Sequence, residues 1–207
     1  MNFVPKPPQI RVDLQLIADM IEPGSRVLDI GCGDGALLEY LAHYKRVDGR
    51  GIELSMDGVR ACVSSGLSVI QGDADTDLND YPEKGFDYVV LSQTLQATRQ
   101  PRVVLANLTR IGRRAVVSFT NFGFWRNRAR FFFGGQIPVD GALNHRWYDT
   151  PNIHLCTIKD FERLCAEMGI GVQRAISLDS RGRIQRAKGK LFPPNLFGEQ
   201  AVFVLTR

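Results

Sequence analysis

Between residues 29 and 35 the chain reads Asp29-Ile-Gly31-Cys-Gly33-Asp-Gly35, with glycines at alternate positions. Glycine has no Cβ, so a segment of this kind turns sharply and lets a ligand come close to the backbone. The residues before it, Arg26-Val-Leu-Asp-Ile-Gly31, form a short apolar run closed by glycine and read as a buried strand. Leu37, Leu38, Leu41 and Tyr44 after it recur at helical spacing. A glycine turn between strand and helix points to an open α/β architecture, in which ligands bind at the carboxyl ends of strands.

The rest of the chain keeps the same rhythm. A helix is expected over Arg11 to Ile21, broken by Pro23-Gly24-Ser25. Strands are expected at Gly49 to Glu53, Leu67 to Ile70, Phe86 to Ser92 and Ala115 to Phe119, with helices at Asp57 to Ser65 and Arg102 to Ile111. Past Phe119 the alternation stops, and residues 120–156 read as an aromatic and basic insertion. Thr157 is placed to cap a helix from Ile158 to Met168 that Gly169 ends. Val172, Ile176 and Leu178 then alternate, and Ala201 to Leu205 forms a final apolar strand. These two strands are joined by a long basic loop without a helix, so they need not run parallel. With 207 residues and 44% hydrophobic content, the expectation is one domain over residues 1–207. Its sheet should be mostly parallel, about seven-stranded and covered by helices on both faces.

Charge and cysteine usage exclude several classes. The net charge of +4 is local: Arg181 to Lys190 holds five cations and no acid, and the remainder carries 21 basic against 22 acidic residues. Cys32, Cys62, Cys156 and Cys165 have no CxxC spacing, and His43, His145 and His154 form no i, i+4 pair, so reduced thiols and no metal site are expected. The segment Met1 to Pro8 has no apolar stretch of the signal-peptide kind, and a cytoplasmic location is expected.

Glu53 follows Gly33 by 20 residues and ends the second strand. In a doubly wound sheet that position lies beside the glycine turn, where a carboxylate can accept hydrogen bonds from both ribose hydroxyls of a nucleoside. The spacing D-x-G-x-G-x-G differs from the dinucleotide fingerprint G-x-G-x-x-G. It resembles motif I of the class I S-adenosylmethionine-dependent methyltransferases, a Rossmann-like fold. That resemblance implies an antiparallel last strand and S-adenosylmethionine or S-adenosylhomocysteine as the cofactor. Gly31, Cys32, Gly33 and Gly35 would approach it, and Glu53 and Leu54 would lie at the ribose. Asp73 and Ala74 would flank the adenine, and Ser92 and Gln93 would line the same cleft. Asp29 would either orient the turn through its amides or touch the ligand.

Methyl transfer from an activated sulfonium needs an aligned acceptor, and a base only where the acceptor must lose a proton. His145, Tyr148, Asp149 and His154 are the titratable residues expected to overhang the cleft, and none has a diagnostic spacing. The stretch Phe122 to Phe133 interleaves Arg126, Arg128 and Arg130 with rings, a composition that can bind single-stranded nucleic acid. Placed on a helix, Trp125, Ala129, Phe132 and Phe133 share a face, which favours packing on this chain or on a partner instead.

Four stretches carry a closer resemblance: Val27 to Gly35, Val69-Ile-Gln-Gly-Asp73, Phe86 to Thr98 and Trp147-Tyr-Asp-Thr-Pro-Asn-Ile-His-Leu-Cys-Thr157. Together they resemble the MetW family of methionine biosynthesis. The resemblance implies a methyltransferase-like protein that works with the homoserine O-acyltransferase MetX. Many small-molecule methyltransferases carry a Glu-His pair after the fourth strand, where this chain has Leu95-Gln96-Ala97. The two readings that follow are a cofactor-binding partner of the acyltransferase and an active methyltransferase on an unknown small molecule.

Overall fold

The computed structural model describes residues 10–137, 139, 145–179, 182–185 and 194–207. The Met1 to Pro8 segment and Arg181, Arg186, Lys188 and Lys190 of the basic run lie outside the described residues. The order is α1 (Val12–Met20), β1 (Arg26–Ile30), α2 (Ala36–Lys45), β2 (Asp48–Glu53), α3 (Met56–Ser64) and β3 (Ser68–Gln71). Then come β4 (Phe86–Ser92), α4 (Pro101–Ile111), β5 (Gly112–Thr120) and α5 (Trp125–Gly134). The remaining elements are α6 (Ile158–Glu167), β6 (Gly171–Leu178), β7 (Ile184–Gln185), α7 (Pro194–Phe197) and β8 (Gln200–Thr206).

Among the described residues the strands form one sheet in the order β3-β2-β1-β4-β5-β8-β6-β7. From β3 to β5 all neighbours run parallel, and β8 pairs antiparallel with both β5 and β6. The last strand is therefore antiparallel, as expected from the resemblance. The sheet gains an eighth strand, β7, which extends β6 as a hairpin through Ser177 and Leu178. Two residues of β7 and four of α7 are too short to leave a hydrophobic period in the sequence.

Central strands are apolar throughout because both faces are covered. Leu28, Ile30, Val89, Leu91, Val117 and Phe203 point to one face, where they meet Val104, Leu105, Leu108 and Ile111 of α4 and Ile158, Phe161 and Cys165 of α6. Val27, Val90, Val116 and Val202 point to the other, under Leu16 and Ile17 of α1 and Leu37 and Leu41 of α2. Each buried side chain of this size contributes roughly 1.5–3 kcal/mol. Pro101 starts α4, where its missing N–H is not needed. Thr157 and Asp160 close a reciprocal capping box at the start of α6.

The chain runs outward from β1 to β3 and then returns to the other side of β1 as β4. The reversal leaves a crevice at the carboxyl ends of β1 and β4, the usual ligand position in such sheets. Among the described residues no helix is long and apolar enough to cross a membrane.

Candidate functional site

A cavity of about 300 Å³ opens at this reversal. Its walls come from the ends of four strands: Ile30 and Gly31 after β1, Ile52 to Leu54 after β2, Gly72 to Asp75 after β3, and Gln93 and Thr94 after β4. Arg99, Pro151 and Asn152 complete the rim. Of the residues expected at the site, Gly31, Glu53, Leu54, Asp73, Ala74 and Gln93 line the cavity. Asp29, Cys32, Gly33, Gly35 and Ser92 do not line it.

The glycine turn is built by backbone geometry. Gly31, Gly33 and Gly35 have φ of 71°, 59° and 82°, the left-handed region that disfavours a side chain. A Cβ on Gly31 would also lie 2.5 Å from Thr94 Oγ1, so the β1 turn sits directly against the turn after β4. Nothing lies within 4 Å of a Cβ placed on Gly33, so backbone there is open to approach.

Glu53 is the keystone of the turn as well as part of the wall. Its Oε2 accepts from the Gly33 amide at 2.8 Å and its Oε1 from the Ser55 amide at 2.9 Å. The carboxylate is held in one orientation while each oxygen keeps a further lone pair for a ligand. Helix α3 comes close enough for this only because residue 58 is glycine: a Cβ there would lie 2.7 Å from Glu53 Cγ and 2.8 Å from the Gly33 carbonyl oxygen.

Asp29 lies under the turn and is 2% exposed. Burial, reinforced by the negative charge of Glu53 and opposed by Arg11, pushes its carboxyl up to about 7. Its Oδ1 has no hydrogen-bond partner among the described residues. Cys32 turns away from the cavity, and its Sγ sits 4.0 Å from Cys62 Sγ in a small cluster with Leu38. Burial, with the charge of Asp29 second, raises the Cys32 thiol far above its usual range. All four cysteines are free. Cys156 is pushed up by burial to about 12 and Cys165 to about 11. These are packing thiols, not nucleophiles.

On the far wall, Asp73 Oδ1 accepts from the Asp75 amide at 2.9 Å. Asp75 in turn accepts from the amides of Arg99 and Gln100 at 2.8 and 2.9 Å, which ties the β3 loop to the start of α4. Gln93 has φ 56°, and its Oε1 accepts from Thr120 Oγ1 at 3.1 Å. Its buried Nε2 has no hydrogen-bond partner among the described residues. Ser92 Oγ is 3.1 Å from Ser118 Oγ and serves the sheet.

The roof differs from the expectation in its residues. Pro151 and Asn152 reach the cavity, whereas His145, Tyr148, Asp149 and His154 do not line it. His154 instead donates its amide to the Gln96 carbonyl at 2.9 Å, and Arg146 donates to the Tyr148 hydroxyl at 2.8 Å. Gln96 is 2% exposed, and its side chain bonds both the N–H and the carbonyl of Thr120. The position that holds a Glu-His pair in many methyltransferases is therefore a strut between the roof and β5.

Sequence reasoning missed Gly58, Thr94, Arg99, Pro151 and Asn152. Thr94, Pro151 and Asn152 lie inside the two stretches most characteristic of the family resemblance. Gly58 gave no signal, because a single glycine in a helix is common. The chemistry of the cleft suits a nucleoside: a fixed carboxylate for hydroxyls, open glycine backbone and an exposed Leu54 for a ring face.

The comparisons with known proteins bear on the family and the fold. The family model described as methionine biosynthesis protein MetW matches residues 11–205. The bifunctional methionine biosynthesis protein MetXA/MetW of Rhodopirellula baltica is 31% identical over 215 residues, covering 99% of this chain and 34% of that protein. A fatty-acid O-methyltransferase of Mycolicibacterium smegmatis is 35% identical over 93 residues, covering 42% of this chain and 33% of that protein. The chain thus spans about a third of the length of the curated relatives it matches. Among solved structures, a possible histamine N-methyltransferase of Thermotoga maritima, described as S-adenosylmethionine-dependent, superposes with TM-score 0.66 at 16% identity, covering 94% of this chain and 87% of that one. The fold is that of the class I methyltransferases, and over nearly its whole length the chain belongs to the MetW family of methionine biosynthesis proteins.

Proposed function

We propose that the cleft binds S-adenosylmethionine or S-adenosylhomocysteine, and that the chain acts in the cytoplasm as a regulatory or activating partner of a MetX-type homoserine O-acyltransferase. The observation that carries the reading is the Glu53 carboxylate, clamped by the Gly33 and Ser55 amides at the wall of the cavity. In this reading Glu53 takes the ribose hydroxyls, and Leu54, Asp73 and Ala74 bound the adenine. Gly31 and Gly33 offer backbone to the methionine part, Gln93 closes the wall, Cys32, Gly35 and Ser92 lie outside the lining, and Asp29 supports the turn from below. The cofactor, when bound, supplies an activated methyl group. Among the described residues, the titratable groups of the lining are Glu53, Asp73, Asp75 and Arg99, and the three carboxylates are already engaged with backbone amides, which favours binding over catalysis. The partner rests on the Rhodopirellula baltica relative, whose name joins MetXA to MetW in one polypeptide.

Titration calorimetry with each nucleoside tests the ligand. Binding heat is expected for the wild type, with affinity lowered at least about tenfold in Glu53→Gln, because a charged acceptor is lost from both turn and ribose. No heat with either compound overturns the reading. The match to a fatty-acid O-methyltransferase favours a second reading, an active methyltransferase on a small molecule. Labelled methyl transfer to a cell extract, abolished in Glu53→Gln, would establish it.

A further inference from the structure

Helix α5 (Trp125–Gly134) has no buried residue. Three successive phenylalanines near its end are open to solvent, Phe131 at 62%, Phe132 at 81% and Phe133 at 84%. A ten-residue helix with no packed face is marginal in water, since isolated helices of this length do not repay their nucleation cost. Its sequence is also poor for an isolated helix, with aromatic residues crowding the last turn.

The base of the helix is rigid. Phe124, just before it, is 6% exposed, and Gly123 is held by Asn121 Oδ1 at 2.9 Å. Arg128 Nε donates to the Gly123 carbonyl at 2.6 Å, and Arg126 lies over the Trp125 ring at 5.6 Å. The helix is anchored at one end and uncovered along its length. Ala129, Arg130, Phe133 and Gly134 of the helix, with Gln136, Ile137 and Val139 beyond it, line an open and mostly apolar groove of about 560 Å³. The helix itself contains no acidic residue, and Arg126 and Arg128 lie on its first two turns.

We infer that α5 and this groove are the surface on which the chain docks the MetX-type acyltransferase, whose contacting face would be an apolar ridge rimmed by acidic groups. The inference rests on the partner named under Proposed function and adds where it binds. Three observations select this occupant. The helix carries arginines and no acid of its own, so it suits an acidic rim and steers encounter with it. Adjacent aromatics with arginine are the side chains that dominate protein interfaces. In the Rhodopirellula baltica relative the matching portion makes up a third of a chain whose name also specifies MetXA, so the two would meet there at high effective concentration.

The test measures binding of the purified full chain to a purified MetX-type homoserine O-acyltransferase, alongside titration of each variant with S-adenosylhomocysteine. The double substitution Phe132→Ser with Phe133→Ser is expected to weaken the complex by on the order of 100-fold while leaving the melting temperature and nucleoside affinity unchanged. Arg126→Glu is expected to weaken it about tenfold, chiefly through slower association. A wild-type complex that the double variant forms equally well overturns the surface and leaves the partner reading intact. No complex with wild type overturns both. Two further results overturn the surface assignment: sedimentation showing that α5 instead joins two copies of this chain, and flotation of the wild type but not the variant with anionic vesicles without any loss of acyltransferase binding.

Discussion

Glu53 illustrates how one side chain can both hold a turn and line a cavity. Its two oxygens hold the Gly33 and Ser55 amides, so removing it both loosens the turn and strips the ligand wall. Gly58 separates the two effects. A helix interior ordinarily gains up to about 1 kcal/mol when glycine becomes alanine. Here the new Cβ would lie 2.7 Å from Glu53 Cγ, so Gly58→Ala should lower nucleoside affinity several-fold by displacing the carboxylate. Calorimetry beside thermal unfolding checks this, and unchanged affinity would show that α3 yields instead. The position of Glu53 beside the glycine turn was legible from sequence because strand, turn and acid are local and ordered along the chain. Gly58 was not, because its importance depends on how closely α3 approaches a strand that precedes it.

At the scale of elements, Asn121 joins the insertion to the sheet. It is fully buried; its Nδ2 donates to the carbonyls of Asn195 and Gly198 at 3.1 and 2.7 Å, and its Oδ1 accepts from the Gly123 and Ile158 amides at 2.9 and 3.2 Å. One side chain thus serves β5, α6 and α7. Asn121→Ala would leave four buried backbone groups without a partner, each costing about 1–3 kcal/mol if water cannot enter. A loss of at least about 3 kcal/mol is expected in urea unfolding. A loss below about 1 kcal/mol would mean that the junction is wetter than its burial implies. The periodic elements, β1, β4, α4 and α6 among them, were readable because each buries a stripe of fixed period. The junction was not, since residues 121, 158, 195 and 198 meet only through the fold. The aromatic stretch forms the helix on which the sequence analysis placed Trp125, Ala129, Phe132 and Phe133, and none of its residues is buried.

For the molecule as a whole, Asp29 sets a pH dependence of stability. Its folded value near 7 lies above the ordinary 3.8, so the folded chain binds a proton there that the unfolded chain has lost. Stability from this group is greatest below pH 4 and declines as pH rises towards 7. Asp29→Asn should remove that decline, so its stability relative to wild type should rise by about 2 kcal/mol from pH 5 to pH 8. Urea unfolding at the two pH values measures it, and parallel profiles would mean that Asp29 stays ionised under the turn. The open α/β plan and the antiparallel last strand were legible in the sequence and its family resemblance. The roof made by Pro151 and Asn152 was not, because only the packing of residues 151–156 over Gln96 brings it to the strand ends.

The position of β8 between β5 and β6 has a consequence for biosynthesis. On the ribosome the segment 200–206 emerges after every other strand, so until then Ala115 to Phe119 presents an unpaired apolar edge to the crowded cell. A chaperone that shields this edge, or a pause in translation upstream of residue 200, would therefore alter the yield of native protein without touching any residue of the cleft.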